Sequence, residues 1–442
     1  MNRQIHKGFD YWILIFGIII YKLPTFLGYS DSIAVRIMCL SPFWVSIFIN
    51  IILLINTNKL LFDKKSFIIF FLYLCLWGVA VLRSAISSYF SVASTFGNYF
   101  IWITFALFGI LSLTRNSSEE KIKTYREVIY LGLILYIVVN SVTQLLGFIN
   151  QKEIYLSLRP AVMLQFVGIS TFRVLFPFSS GINSEGMIAG AGLCVSALLL
   201  FFNSTNSKKV IGGIGIIFSL YEILLTDSRG ALFFAAITIF IAIVFSAKSI
   251  IFWRWLPLFT PAIPLFLLAV QKIIPLKFIE ALSRNSVISG TEIFSGRQLI
   301  WNGILDHYNH FQFIHLFGYG YHGQQISGIS TSYSYLFTNF ISSELATAHN
   351  FLLQTLIELG YIGLIIVFWL VTSLFFSLAK LIKNNPKDIT FRILFFLIFF
   401  LVLAGTTETT LTPDHQEIFF IFILIWAAVG VSLSKKQTPQ SM

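Results

Sequence analysis

Along the chain, apolar residues collect into runs long enough to cross a hydrocarbon core of about 30 Å. They fall near 9–27, 32–56, 66–84, 92–113, 127–149, 183–203, 209–226, 229–247, 252–271, 348–380, 389–411 and 416–433. This pattern predicts an all-α integral membrane protein of about twelve transmembrane helices, a single polytopic domain over 1–442. Two polar breaks, 150–182 and 272–347, are too long to be simple connections, since loops beyond about 12–15 residues are usually functional or disordered. Both are rich in Tyr and Phe and neither is of low complexity, so the functional face is expected on their side.

Charge gives that side an orientation. An even number of spans puts both termini together, and with the N-terminus inside, the inner loops carry Arg3 and Lys7; Lys59, Lys64 and Lys65; Arg115, Lys121, Lys123 and Arg126; Lys208 and Lys209; Lys248 and Arg254; Lys380, Lys383, Lys387 and Arg392; Lys435 and Lys436. This set meets the positive-inside rule loop by loop, so both long loops lie outside. The net charge of +11 is therefore read as topology and not as a nucleic-acid surface. Charged residues make up 11% of the chain and hydrophobic ones 57%, at a mean hydropathy of +0.83. Soluble domains carry about 25% charged residues, which excludes a soluble enzyme. Cys39, Cys75 and Cys194 all sit within apolar runs, so neither a disulfide framework nor a thiolate metal site is expected. The first apolar run lacks a small-residue cleavage signature and is read as a retained helix.

Chemistry is concentrated at three places. Ser295 and Gln298 have capping-box spacing, and Ile300, Trp301, Ile304, Leu305 and Tyr308 then repeat at helical spacing. The helix so predicted is amphipathic and lies on the outer face, with Arg297 in its first turn, where free N–H groups favour a phosphate. The competing reading pairs Arg297 with Glu292 or lipid headgroups. Further on, Ala348-His349-Asn350 opens a long apolar helix that carries Gly360 and Gly363. His349 at the water boundary suits a general base, or simply a helix cap. Third, Thr226-Asp227-Ser228-Arg229 is a turn too tight to carry Arg229 far from the bilayer, where an ionisable residue is costly. Arg229 is there a ligand cation or the partner of Asp227 or Glu222. Arg159 and Arg173 in the first long loop add cations on the same face, and converging arginines suit a pyrophosphate.

Other groups are read more plainly. His307, His310, His315 and His322 match no standard metal-ligand spacing, and no closely spaced carboxylate pair appears on the outer loops. Glu408, Asp414 and Glu417 are expected to pair only locally. Neither a Walker loop nor a dinucleotide fingerprint is present, so no metal and no cofactor is expected.

Four of these motifs together resemble the O-antigen ligase/polymerase superfamily of bacterial membrane glycosyltransferases. They are Ser228-Arg-Gly-Ala-Leu232, Gly296-Arg-Gln-Leu-Ile-Trp301, Gly318-Tyr-Gly320, and His349-Asn350 followed by Gly360-Tyr-Ile-Gly363. The resemblance is strongest over 180–370. It implies a C-type glycosyltransferase-like fold with a large, partly helical periplasmic loop, in the bacterial inner membrane with cytoplasmic termini. It further implies a metal-independent transferase whose donor is a glycan on undecaprenyl pyrophosphate and whose acceptor is a glycan or lipid A-core. His349 would be the catalytic base, with Arg229, Arg297, Arg173 and Arg159 binding pyrophosphate. The expected activity is O-antigen polymerisation, with a chain-length regulator as a further partner. The alternatives are ligation to lipid A-core or to protein Ser/Thr, and, in a different class, a lipid-linked glycan flippase. Some polymerases place a glycine after an arginine and ten intervening residues in both long loops, a spacing that Arg159, Arg173, Arg284 and Arg297 all lack.

Overall fold

The computed structural model describes residues 8–57, 62–87, 89–114, 119–151, 160–203, 205–245, 250–264, 266, 269, 297–337 and 346–437. The apolar runs form helices α1 (Phe9–Phe26), α2 (Ile33–Cys39), α3 (Ser41–Thr57), α4 (Lys64–Ile86), α5 (Val92–Thr114), α6 (Glu119–Leu145), α8 (Ile182–Phe202), α9 (Asn206–Thr226) and α10 (Arg229–Val244), with a single turn α7 (Val162–Gln165) in the first long loop. Among the described residues there is no strand, only an isolated bridge between Pro160 and Phe172. By length and apolarity eight described helices can cross a membrane, or nine with the pair α2 and α3, bent by 48° around Leu40. The protein is a multi-pass helical membrane protein.

Two expected spans are short: α10 and the helix Ile389–Ala404 have 16 residues each. The run expected to cross at 252–271 is different. Its described part includes two four-residue helices, α11 (Ile250–Trp253) and α12 (Leu256–Phe259), and residues 262–264, 266 and 269 are helical again beyond them. Pro257, Pro261 and Pro264 lie in this stretch, and each removes a donor and crowds the preceding turn.

Helix α13 (Arg297–His307) and a single turn α14 (Gly323–Ile326) belong to the second long loop, followed by α15 (Phe351–Asn384), α16 (Ile389–Ala404) and α17 (Gln416–Gln437). Burial ranks the layers. The membrane-length windows of α17 and α8 are 94% and 83% buried, those of α4 and α9 only 33%. α8, α16 and α17 therefore form the centre, while α4 and α9 turn residues such as Phe71, Leu72, Val210 and Ile217 outward. An outward apolar surface of this kind suits lipid and not water.

Buried ion pairs tie the two ends of the bundle. At one end Lys22 of α1 meets Glu417 of α17 at 2.7 Å, with both side chains almost fully buried. At the other Arg126 of α6 meets Asp388 at 2.7 Å and lies 4.1 Å from the Phe391 ring centroid. Arg392 donates to the Ala242 carbonyl at 3.2 Å and lies over the Phe202 ring. Two arginines read from sequence as topological markers thus also brace the fold.

Candidate functional site

The long helix α15 is broken at Gly360, whose backbone (φ +68°, ψ −167°) lies outside helical space. The break frees carbonyls that would otherwise be bonded within the helix, and the second long loop takes them. Tyr308 Oη donates to Leu356 O at 2.8 Å, Tyr319 N to Ile357 O at 2.7 Å, and Gly320 N to Glu358 O at 3.1 Å. Backbone meets backbone so closely that a Cβ on Gly318 would lie 2.4 Å from the Glu358 carbonyl, and one on Gly360 would lie 2.4 Å from Gly318 N. The two glycine motifs read separately in the sequence are the two halves of one contact. The loop is also tied to α4, with Arg83 donating to Gly318 O and Ser84 Oγ to Tyr321 O at 2.6 Å.

This anchored loop places α13. Ile300, Trp301 and Ile304 bury one face of that helix in a small core with Tyr308, Ile329, Tyr333, Ala348, Leu356 and Ile357, as its apolar spacing predicts. Trp301 Nε1 donates to Ala348 O at 3.0 Å, which brings the start of α13 beside the start of α15. Ser295, the expected cap, and Glu292, the expected alternative partner of Arg297, lie outside the described residues.

His349 sits between these elements in a left-handed conformation (φ 47°), uncommon for a residue other than glycine. Its neighbours fix it there. Asn350 caps α15, its Oδ1 accepting from Leu352 N and Leu353 N at 2.9 and 3.1 Å, and its Nδ2 donates to Thr406 O at 3.0 Å. Phe351 N donates to Gly405 O at 2.8 Å. The turn between α16 and α17 is thereby held against His349, and it carries Glu408.

Glu408 is the residue that sequence reading missed. Its carboxylate is 2% exposed and binds Arg297 through Oε1 and His349 Nδ1 through Oε2, the latter at 2.9 Å. Burial pushes this carboxyl up, but Arg297, His349 and His415 outweigh burial and hold it down at about 2. The pairing expected to be local instead spans 111 residues to Arg297 and 59 to His349. Glu417 likewise reaches back to Lys22, and of the three only Asp414 bonds locally, accepting from Thr412 at 2.9 Å. The available signal was an ionisable residue in the threonine-rich stretch that closes a strongly apolar helix.

Arg229 begins α10, within electrostatic reach of both Asp227 and Arg297. The turn before it is made by Asp227 in a left-handed conformation (φ 49°), its Oδ1 accepting from Met163 N at 3.0 Å. Glu222 is turned to Ser141 Oγ, at 2.9 Å, and is not the partner of Arg229. Arg173 is 9% exposed, donating through Nε to Thr226 O at 2.7 Å and through Nη2 to Asn183 Oδ1 at 2.9 Å. It holds the turn that bears Arg229. Arg159 lies outside the described residues. The four histidines weighed together as a metal set are divided: His307 and His315 both bond the Tyr319 hydroxyl, at 2.8 and 3.1 Å, while His322 turns to other partners.

The arrangement joins two cations, a buried carboxylate and an imidazole at one end of the bundle. An ionised Glu408 requires His349 to carry its proton on Nδ1, which makes Nε2 the proton acceptor. Arg297 binds this carboxylate, and Arg229 stands within reach of Arg297 as well as Asp227, so two guanidinium groups gather where an anionic ligand could approach.

A comparison with protein families matches residues 214–368 to the family described as O-Antigen ligase. No curated protein and no solved structure matches the chain. The matched segment contains Arg229, Arg297, His349 and both glycines of the loop–helix contact, and members of this family are glycosyltransferase-like enzymes with lipid-linked glycan substrates. Over residues 214–368 the chain is similar to the O-antigen ligase family, and the match covers the segment whose motifs resembled it in the sequence.

Proposed function

We propose that the protein is an O-antigen, or related surface-polysaccharide, polymerase that acts at the periplasmic face of the inner membrane on glycans carried by undecaprenyl pyrophosphate. The observation that carries this reading is the Arg297–Glu408–His349 relay with Arg229 in reach. In the proposed reaction His349 Nε2 takes the proton of an acceptor-sugar hydroxyl. The acceptor oxygen bonds to the anomeric carbon of the donor glycan as the bond from that carbon to the phosphate oxygen breaks. Undecaprenyl pyrophosphate leaves with the electron pair, and Arg229 and Arg297 stabilise the charge it gains. Glu408 holds the imidazole in the correct tautomer and stabilises the imidazolium. The arginines fill the electrostatic role that a metal ion fills elsewhere, so the transfer step uses none. Arg173, behind the turn at Thr226, maintains the position of Arg229, and Arg159 belongs to the same cationic loop.

This reading includes the topology expected from sequence: twelve crossings, cytoplasmic termini, and loops 150–182 and 272–347 in the periplasm. A second reading, ligation of finished chains to lipid A-core, is favoured by the description of the matched family. Lipopolysaccharide banding of a deletion strain, complemented with wild type or His349→Ala, separates them, with membrane levels of each protein checked. Core bearing a single repeat in both the deletion and the His349→Ala strain supports the polymerase. Loss of all O-chain from the core, with polymer accumulating on undecaprenyl pyrophosphate, identifies the ligase. A full ladder from His349→Ala overturns both.

A further inference from the structure

The turn that presents Glu408 carries a second carboxylate that the transfer reaction does not use. Asp414 lies near Glu358 of α15 and His322 of the second long loop, and one ligating atom from each of the three falls within 4.8 Å of the other two. Drawn together around one ion, the three atoms could each reach bonds of about 2.0–2.2 Å.

The site is preformed. His322 adopts a left-handed backbone (φ 57°), one of three non-glycine residues to do so among those described, the others being Asp227 and His349 of the site above. Its ring stands 3.9 Å from the Tyr321 ring centroid and 5.0 Å from that of Phe90. Glu358 is wholly buried, and its Oε1 accepts from His322 N at 3.0 Å. Glu358 Oε2 and His322 Nδ1 are both buried with no hydrogen-bond partner among the described residues. Buried polar atoms are seldom left so, and a pair facing one cluster is accounted for by a bound ion or an ordered water. Among the described residues, no lysine or arginine is bonded to Glu358 or Asp414. Two carboxylates side by side at low dielectric therefore repel each other with no lysine or arginine bonded to either among the described residues.

We propose that His322, Glu358 and Asp414 form a binding site for one divalent transition-metal ion, of the Mn²⁺ or Zn²⁺ class. The imidazole argues against Mg²⁺ and Ca²⁺, which take oxygen ligands, and the absence of a thiolate argues against the softer ions. The three ligands come from three segments: the loop that positions α13, the helix that begins at Phe351, and the turn that bears Glu408. A bound ion clasps these segments together. It takes no part in the transfer step, and the proposal is independent of which glycan is transferred.

The test uses the full chain, purified in detergent without a histidine tag and stripped with a chelator. MnCl₂ or ZnCl₂ is added, loose metal is removed by desalting, and bound metal and thermal unfolding are measured. About one equivalent per chain and a raised unfolding midpoint are expected. Glu358→Gln or Asp414→Asn should weaken binding at least about tenfold, and His310→Gln should not change it. Failure of the stripped wild type to retain either ion or to gain thermal stability overturns the proposal, and so does undiminished binding in both carboxylate variants. Should those variants fail to fold, the wild-type stoichiometry and midpoint decide. Because neither readout involves sugar transfer, a negative result here leaves the transferase reading intact, and the reverse also holds.

Discussion

Glu408→Gln changes one atom at the centre of the candidate site, and its consequences can be worked out in advance. The carboxylate receives two donors, Arg297 Nη2 on one oxygen and His349 Nδ1 on the other. Glutamine offers one oxygen and one amide nitrogen, so one of the two donors would face an N–H group. Arg297 cannot give up its proton, so the amide turns its nitrogen to His349, whose Nδ1 must then accept. The imidazole proton moves to Nε2, the atom required as the base. Losing a general base costs on the order of 10²–10⁴ in rate, enough to abolish a polysaccharide ladder while the folded protein remains in the membrane. The thermodynamic side is separate. A carboxyl held at about 2 in place of 4.5 corresponds to about 3 kcal/mol in favour of the ionised, paired state. Because the folded value is the lower one, this contribution is complete above pH 4.5 and is lost as pH falls from there towards 2. Thermal unfolding of the purified wild type between pH 7 and pH 3 should therefore show an acid slope that the glutamine variant lacks. Banding in the complemented deletion strain reads the rate effect. A normal ladder from Glu408→Gln, at normal membrane levels, would refute the relay.

Arg297→Lys keeps the charge but loses the planar fork; it should reduce the ladder strongly, and wild-type banding would remove Arg297 from the site. Gly360→Ala would place a Cβ 2.4 Å from Gly318 N and 2.5 Å from His315 O at a left-handed φ. A loss of about 3 kcal/mol or more is expected, read as a lowered unfolding midpoint or absence from the membrane. Lys22→Met leaves Glu417 buried without its cation and should cost about 3–5 kcal/mol, with stability recovered on adding Glu417→Gln. A single variant as stable as wild type would show that the pair contributes little.

The spans and the site were legible to different depths. Most apolar runs became helices where the pattern placed them because a lipid-facing helix is specified by composition over about twenty residues, information that is wholly local. The run at 252–271 is interrupted at Thr260 and Pro261, which hydropathy does not register, and is helical again at 262–264, 266 and 269. The helix Arg297–His307 was readable from its spacing, and His349 from its place at a helix start. Glu408 was not, because its partners lie in other segments and only tertiary contact supplies them. Arg126 and Arg392 were legible as charges on one side of the membrane. That one is buried between Asp388 and a phenylalanine ring, and the other stretched over Phe202, could not be read from charge alone.

Gly318 and Gly360 meet so closely that neither can acquire a side chain without displacing the backbone of the other. The second long loop and the helix beginning at Phe351 are thus a single unit of exchange. A chimera that brings in a relative's loop but keeps this helix would join two surfaces shaped against different partners. One that carries both across, from Arg297 through Gly363, transplants the contact intact. Ile329 and Tyr333 pack against Trp301 in the same small core, so the stretch that follows Gly323 belongs to this unit and has to travel with it.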